Sequence, residues 1–217
     1  MRKADIPYRA VNGIVNAVIT ILIAIALILG LFSWYTYRRQ LDDAGAGYAG
    51  YTMEELGAVG WITIDHTDID YPVMQGKTNT EYLNKSPLRA ITPSGSIFLD
   101  SMNRSDMSDP YMVIYGHHME KGRMFGALDA FHDRKYLKSH SKGKLRTRDG
   151  RKLRLRIYAC LKADAHSPAI FDVTQDFGQK RKELKRLAGE DHKRILALST
   201  CMDAESAERT VVLAAVS

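Results

Sequence analysis

Residues 13–32, "GIVNAVITILIAIALILGLF", run for twenty positions without a charge. At helical rise such a run is about 30 Å long, the thickness of a bilayer's hydrocarbon core. Its clearly polar side chains, Asn16 and Thr20, lie near one end, and Trp34, Tyr35 and Tyr37 follow at once as an interfacial belt would. A cleaved signal peptide has a shorter apolar region with a small-residue site close behind it. Here the candidate "AGAG" at 44–47 is held off by "SWYTYRRQLDD". The pattern predicts an uncleaved anchor over residues 13–34, in contact with a lipid bilayer. Residues 1–12 would form a cytoplasmic tail. Arg2, Lys3 and Arg9 outnumber Arg38 and Arg39 across the span, which leans towards the remaining chain lying outside the cell.

After the anchor the pattern changes to short strands. Residues 35–55 read as a stalk, closed by a capping-box pair, Thr52 and Glu55. Residues 56–217 then suit one domain of ordinary size. "GWITI" (60–64), "IDYPVMQ" (69–75), "SIFLD" and "YMVIYGHH" read as strands, and 86–96 as a loop. "RMFGALDAF" (123–131) has helical apolar spacing at Met124, Leu128 and Phe131. Asp149-Gly150 marks a hairpin turn. Beyond it Leu153, Leu155, Ile157 and Ala159 alternate with Lys152, Arg154, Arg156 and Tyr158, giving one buried and one basic face. Carried one step further, that period sets Cys160 on the basic face. Residues 176–190 predict a polar helix with an apolar stripe at Phe177, Leu184 and Leu187, and "RILALSTC" and "RTVVLAAV" close the chain as strands. Short strands with helices as excursions favour a mostly β fold, an antiparallel sheet or barrel, over a βαβ layout.

The formal net charge is +6, with basic runs at Lys135–Lys152 and Lys180–Arg194. Such runs form a solvated face, or one drawn to an anionic surface such as a cell wall or lipid headgroups. No nucleic acid partner is expected, since no binding motif and no basic patch with interleaved aromatics occurs. Two cysteines, Cys160 and Cys201, do not make a disulfide framework, and neither sits in a CxxC pair. Adjacent His117 and His118 would point to opposite faces of a strand. No metal and no cofactor is expected.

A cysteine nucleophile needs a route to thiolate, a proton carrier and donors for an oxyanion. Cys201 ends the strand "ILALST", and Arg209 begins the next strand. If the two pair antiparallel, Arg209 lies beside Cys201, where a permanent cation can favour thiolate and donate to a carbonyl oxygen. The alternative is a surface arginine beside a core thiol. His117 ends another strand directly after Gly116, and its ring titrates nearest neutrality. Spacing alone does not bring it to Cys201, and no Asn or Asp is marked as an orienting third member.

At these residues the chain resembles a known family. "LSTC" with Arg209 eight positions on is similar to the C-terminal TLxTC…R signature of the sortases, with alanine in place of the first threonine. "VIYGHHM" followed by "MF" resembles the histidine segment of class B sortases. "GWITIDHTDIDYPVMQG" and "GSIFLD" resemble that class's early strands. The resemblance covers about Leu56 to Ser217. It implies a sortase β-barrel and an extracytoplasmic cysteine transpeptidase of a Gram-positive bacterium. His117 would be the acid/base, Cys201 the nucleophile and Arg209 the oxyanion or substrate clamp. The partners implied are a surface-protein sorting signal, LPxTG-like or NPxTN-like, and an amine of a peptidoglycan precursor or a pilin lysine. Asn84, Ile170, Ser199 and Thr200 are carried over as substrate contacts, and 161–194 as the class B insertion. Hydrolysis of the thioacyl enzyme and a non-catalytic wall-binding role are the competing functions. Cys160 is expected to be a non-catalytic thiol.

Overall fold

The computed structural model describes residues 8–44, 47–48, 50–200 and 207–217. The chain divides between Asp42 and Asp43 into two compact units. The first holds one continuous helix, α1 (Tyr8–Ala44). Its stretch Asn12–Arg38 has a mean hydropathy of 2.9 over its most apolar window, and none of that window is buried. A helix apolar all round and of this length is long enough to cross a membrane.

In the second unit eight strands close into a barrel in the order β1-β2-β3-β4-β7-β8-β6-β5. They are β1 (Gly60–Ile64), β2 (Asp70–Met74), β3 (Ile97–Leu99), β4 (Tyr111–Gly116), β5 (Lys142–Thr147), β6 (Lys152–Asp164), β7 (Ile195–Thr200) and β8 (Glu208–Val216). Six of the eight pairings are antiparallel, while β2/β3 and β4/β7 are parallel. The mostly β architecture with inserted helices is therefore as expected. Four short helices complete the unit: α2 (Met53–Leu56), α3 (Arg134–Ser139), α4 (Pro168–Phe171) and α5 (Phe177–Ala188). A 3₁₀ segment, Phe125–His132, occupies the stretch read as helical from its spacing. The capping box forms, with the Thr52 hydroxyl accepting from Glu55 N and Glu55 Oε2 accepting from Thr52 N.

Two cores explain the burial pattern. One fills the barrel, where Ile62, Val73, Ile114, Leu155, Leu198 and Val212 meet, and is plugged by Phe125, Leu128 and Phe131. The other lies on the barrel's outer surface, where Trp61, Val113, Tyr115, Ala197, Val211 and Leu213 pack with Leu56, Ile170 and Leu184 from the covering helices. β4 and β7 are thus apolar on both faces, and every residue of each is buried. Their sequences are accordingly continuous apolar runs instead of alternating ones.

Two expectations are corrected. A β-bulge interrupts the β6/β8 register between Ile157 and Ala159. One extra residue reverses strand parity. Ala159 consequently joins the outer core and Cys160 packs against the barrel interior, not on the basic face. On α5, capped by Asp176 and ended by Gly189 in a left-handed conformation, Leu187 is exposed and Lys180 takes a buried place beside Leu184.

Candidate active site

β4 and β7 run parallel and end together. The last pair of their ladder is Gly116 with Thr200, one residue before His117 and one before Cys201. Cys201 lies outside the described residues, as do 202–206. On the far side of β7 lies β8, antiparallel, with Ser199 opposite Val211. Thr210 N donates to Thr200 Oγ1 at 3.2 Å, extending this pairing towards Arg209. Three strand ends, from Gly116 to Glu208 in sequence, therefore meet at one rim.

Gly116 must be glycine. A Cβ there would run into Ile97 Cδ1 and lie 2.8 Å from Phe125 Cγ, so the barrel plug sits directly against the backbone that delivers His117. Phe125 N donates to the His117 carbonyl at 2.9 Å and fixes the turn. His117 Nε2 lies 2.6 Å from the Leu83 carbonyl oxygen. A carbonyl only accepts, so Nε2 carries a proton, and in the neutral ring Nδ1 is left with the free lone pair. Leu83 thus supplies the orienting acceptor for which no Asp or Asn could be found. Its carbonyl fits because of Gly95, which has φ +59 and would, with a Cβ, collide with Leu83 O and meet Tyr82 O at 2.7 Å. Ser96 N holds the same loop by donating to Tyr82 O.

Arg209 is half-buried on β8. Its guanidinium carbon lies 5.2 Å from the centre of the Phe171 ring, and Nη1 points to the Thr200 carbonyl at 3.5 Å. Arg209 Nε is buried and has no hydrogen-bond partner among the described residues. Phe171 ends α4 and stacks on Tyr115, ring centres 6.2 Å apart. Tyr115 is itself fixed, donating to the buried carboxylate of Asp100 at 2.9 Å. Burial first, then Asp100, push the Tyr115 hydroxyl well above the usual phenol range, so it stays a donor. α4 is tied from below. Tyr111 Oη donates to the Ile170 carbonyl at 2.7 Å, and buried Lys180 donates to the carbonyls of Pro168 and Ala169 at 2.5 and 3.0 Å. The insertion between β6 and β7 is therefore a clamp whose aromatic tip backs the arginine.

The remaining predicted contacts separate. Ile170 is buried in the outer core, and Ser199 is buried with Oγ donating to the Thr200 carbonyl. The Thr200 side chain is occupied by β8. Asn84 is exposed, next to Leu83 in the loop that orients His117. Cys160 lies 3.6 Å from His132 Nδ1, and burial, helped by the Asp129 charge, pushes its thiol up to about 12. A thiol held that high stays protonated and inert.

The sortase domain model matches residues 62–217 of this chain. The chain belongs to the sortase family. It is 34% identical over 168 residues to sortase B of Staphylococcus aureus, covering 72% of this chain and 68% of that one. Among solved structures it is similar to a class B sortase of Streptococcus pyogenes involved in pilus biogenesis, with 31% identity, a TM-score of 0.67, and 77% of this chain and 99% of that one covered. It is also similar to the S. aureus sortase B–substrate complex, with 32% identity, a TM-score of 0.65, and 76% and 80% covered. The likeness is to class B, and the sortase is a cysteine transpeptidase.

Proposed function

We propose that this sortase uses Cys201 as nucleophile, His117 as acid/base and Arg209 as oxyanion clamp to move a surface protein from its sorting signal to a cell-wall amine. The observation that carries this is the shared strand end: Gly116 pairs with Thr200, and Arg209 reaches the Thr200 carbonyl. His117 takes the Cys201 thiol proton, and Sγ attacks the carbonyl carbon of the threonine in an LPxTG-like or NPxTN-like signal. Charge builds on that oxygen, and a guanidinium whose Nε has no partner among the described residues is the donor available to it. His117 gives a proton to the departing amine, leaving a thioacyl enzyme. An amine of a peptidoglycan precursor then loses a proton to His117, attacks the thioester and releases the thiol. In this reading α1 holds the enzyme in the membrane by residues 13–34, with the barrel outside the cell.

A second acceptor, a pilin lysine, is favoured by one observation: the similarity over 99% of the S. pyogenes enzyme involved in pilus biogenesis. Both acceptors are amines and use the same first half-reaction. The test is incubation with peptides carrying each signal, with and without small amines, read by intact-protein mass, with Cys201→Ala as control. A Cys201-dependent adduct and an amine-dependent product are expected. An adduct consumed only by water would make the enzyme a hydrolase, and no adduct on any peptide would remove the catalytic assignment.

A further inference from the structure

We infer that the outward face of the β5–β6 hairpin docks the domain onto an anionic phospholipid surface. Along this hairpin the register sets Lys142 opposite Arg156, Lys144 opposite Arg154 and Arg146 opposite Lys152. All six are exposed. Like charges directly opposite on an antiparallel pair are destabilising. Alternation requires only that these positions be polar, so the fold itself gains nothing from a uniform sign. Arg156 is answered by Glu190 at 2.7 Å, and Arg146 lies over the Trp61 ring at 5.6 Å. Among the described residues Lys142, Lys144, Lys152 and Arg154 make no ion pair.

The face runs into a surface cavity of about 230 Å³ lined by Asp65, His66, Lys138, Ser139, Ser141 and Lys142. Two ammonium groups and two hydroxyls beside one carboxylate suit a phosphate headgroup. β5 is three strands round the barrel from β7. Docking here leaves the β4/β7 rim uncovered. A nucleic acid is disfavoured because Trp61, the aromatic on this flank, is buried and offers no base a stacking surface. A lipid surface is the partner because the same chain carries an apolar helix of spanning length. A tethered basic patch is drawn to anionic headgroups without inserting. The inference rests on the membrane-anchored reading given above.

The test uses the full chain in nanodiscs of phosphatidylcholine alone or with phosphatidylglycerol. Lysine acetylation is read by mass spectrometry, with exposed Lys77 as internal reference. Phosphatidylglycerol should slow acetylation of Lys142, Lys144 and Lys152 several-fold relative to Lys77, and 0.5 M salt should abolish the difference, given a Debye length of about 3 Å at 1 M. The double variant K144E/R154E should restore labelling of Lys142 and Lys152 while cleaving soluble sorting peptide at the wild-type rate. Equal labelling in both discs overturns the proposal. Protection by added poly(glycerol phosphate) but not by phosphatidylglycerol also overturns it, in favour of a wall polymer. The same samples are assayed for peptide cleavage and for co-purification with discs. Cleavage without lipid-dependent protection defeats the docking alone, whereas a chain that does not enter discs defeats the anchor and is labelled with discs in excess to judge the face directly.

Discussion

The arginine on β8 is held by an aromatic face and a main-chain carbonyl, and among the described residues no carboxylate pairs with it. In the proposed reaction its charge serves the substrate. A guanidinium over an aromatic ring is worth about 0.5–2 kcal/mol, depending on desolvation. Phe171→Ala should therefore lower kcat/KM for a sorting peptide by roughly two- to thirtyfold. Arg209→Lys should cost more, about a hundredfold in kcat, because an ammonium lacks the planar fork. Steady-state cleavage of a fluorogenic peptide separates the two, and equal rates in all three proteins would remove Arg209 from the reaction. The second thiol makes the opposite prediction. With its thiol pushed up to about 12, Cys160 is neutral at every working pH. Iodoacetamide at pH 8 should modify Cys201 and spare Cys160. The Cys160 rate should rise about tenfold per pH unit through pH 10 without levelling, since only the thiolate reacts. Peptide mapping by mass measures both. Cys160→Ala should leave peptide cleavage within twofold, roughly, of wild type.

At the scale of elements, α4 is the piece that sequence reasoning missed. Four residues are too few to show a period, and what fixes them, the Lys180 ammonium and the Tyr111 hydroxyl, lies far off in the chain. Burial holds the Lys180 ammonium below the ordinary lysine range, yet it satisfies two carbonyls. Lys180→Ala should lose about 2 kcal/mol, from unsatisfied carbonyls and a cavity, seen as a melting temperature lower by roughly 4–8 °C. Peptide cleavage should fall with it as Phe171 loosens behind Arg209. Other elements were legible because their cause is local. The Asp149-Gly150 turn, the Thr52–Glu55 box and the two-sided apolar runs of β4 and β7 each announce themselves in a few residues. The Leu83 carbonyl could not be read, since every residue has one; its trace is Gly95, whose left-handed φ only the fold explains. The bulge at Ile157/Ala159 was equally silent, as no turn residue marks it, and a single unmarked insertion was enough to move Cys160 from one side of the sheet to the other.

At the scale of the whole molecule, the second unit, from Asp43 on, has hydrophobic clusters of its own. Every residue of both hydrophobic clusters lies at Tyr48 or beyond. A chain beginning at Gly47 should be soluble without detergent, melt cooperatively and cleave free peptide at the full-length rate. Differential scanning calorimetry and the peptide assay check this. If the short chain aggregates or melts without cooperativity, α1 contributes to the fold of the barrel.

The order of the strands carries a consequence for how this enzyme comes into being. β7 and β8 are the last strands to be synthesised, yet they are interior neighbours, filling the gap between β4 and β6. A nascent chain that has reached only Arg194 presents two long raw edges, one of them the wholly apolar β4, and such edges recruit other chains. The contacts that close them reach from Tyr111 to Ile195, the kind of long separation that forms slowly. The barrel therefore cannot close until both β7 and β8 have been made. Until then Gly116 has no Thr200 to pair with, and the rim of three strand ends does not exist.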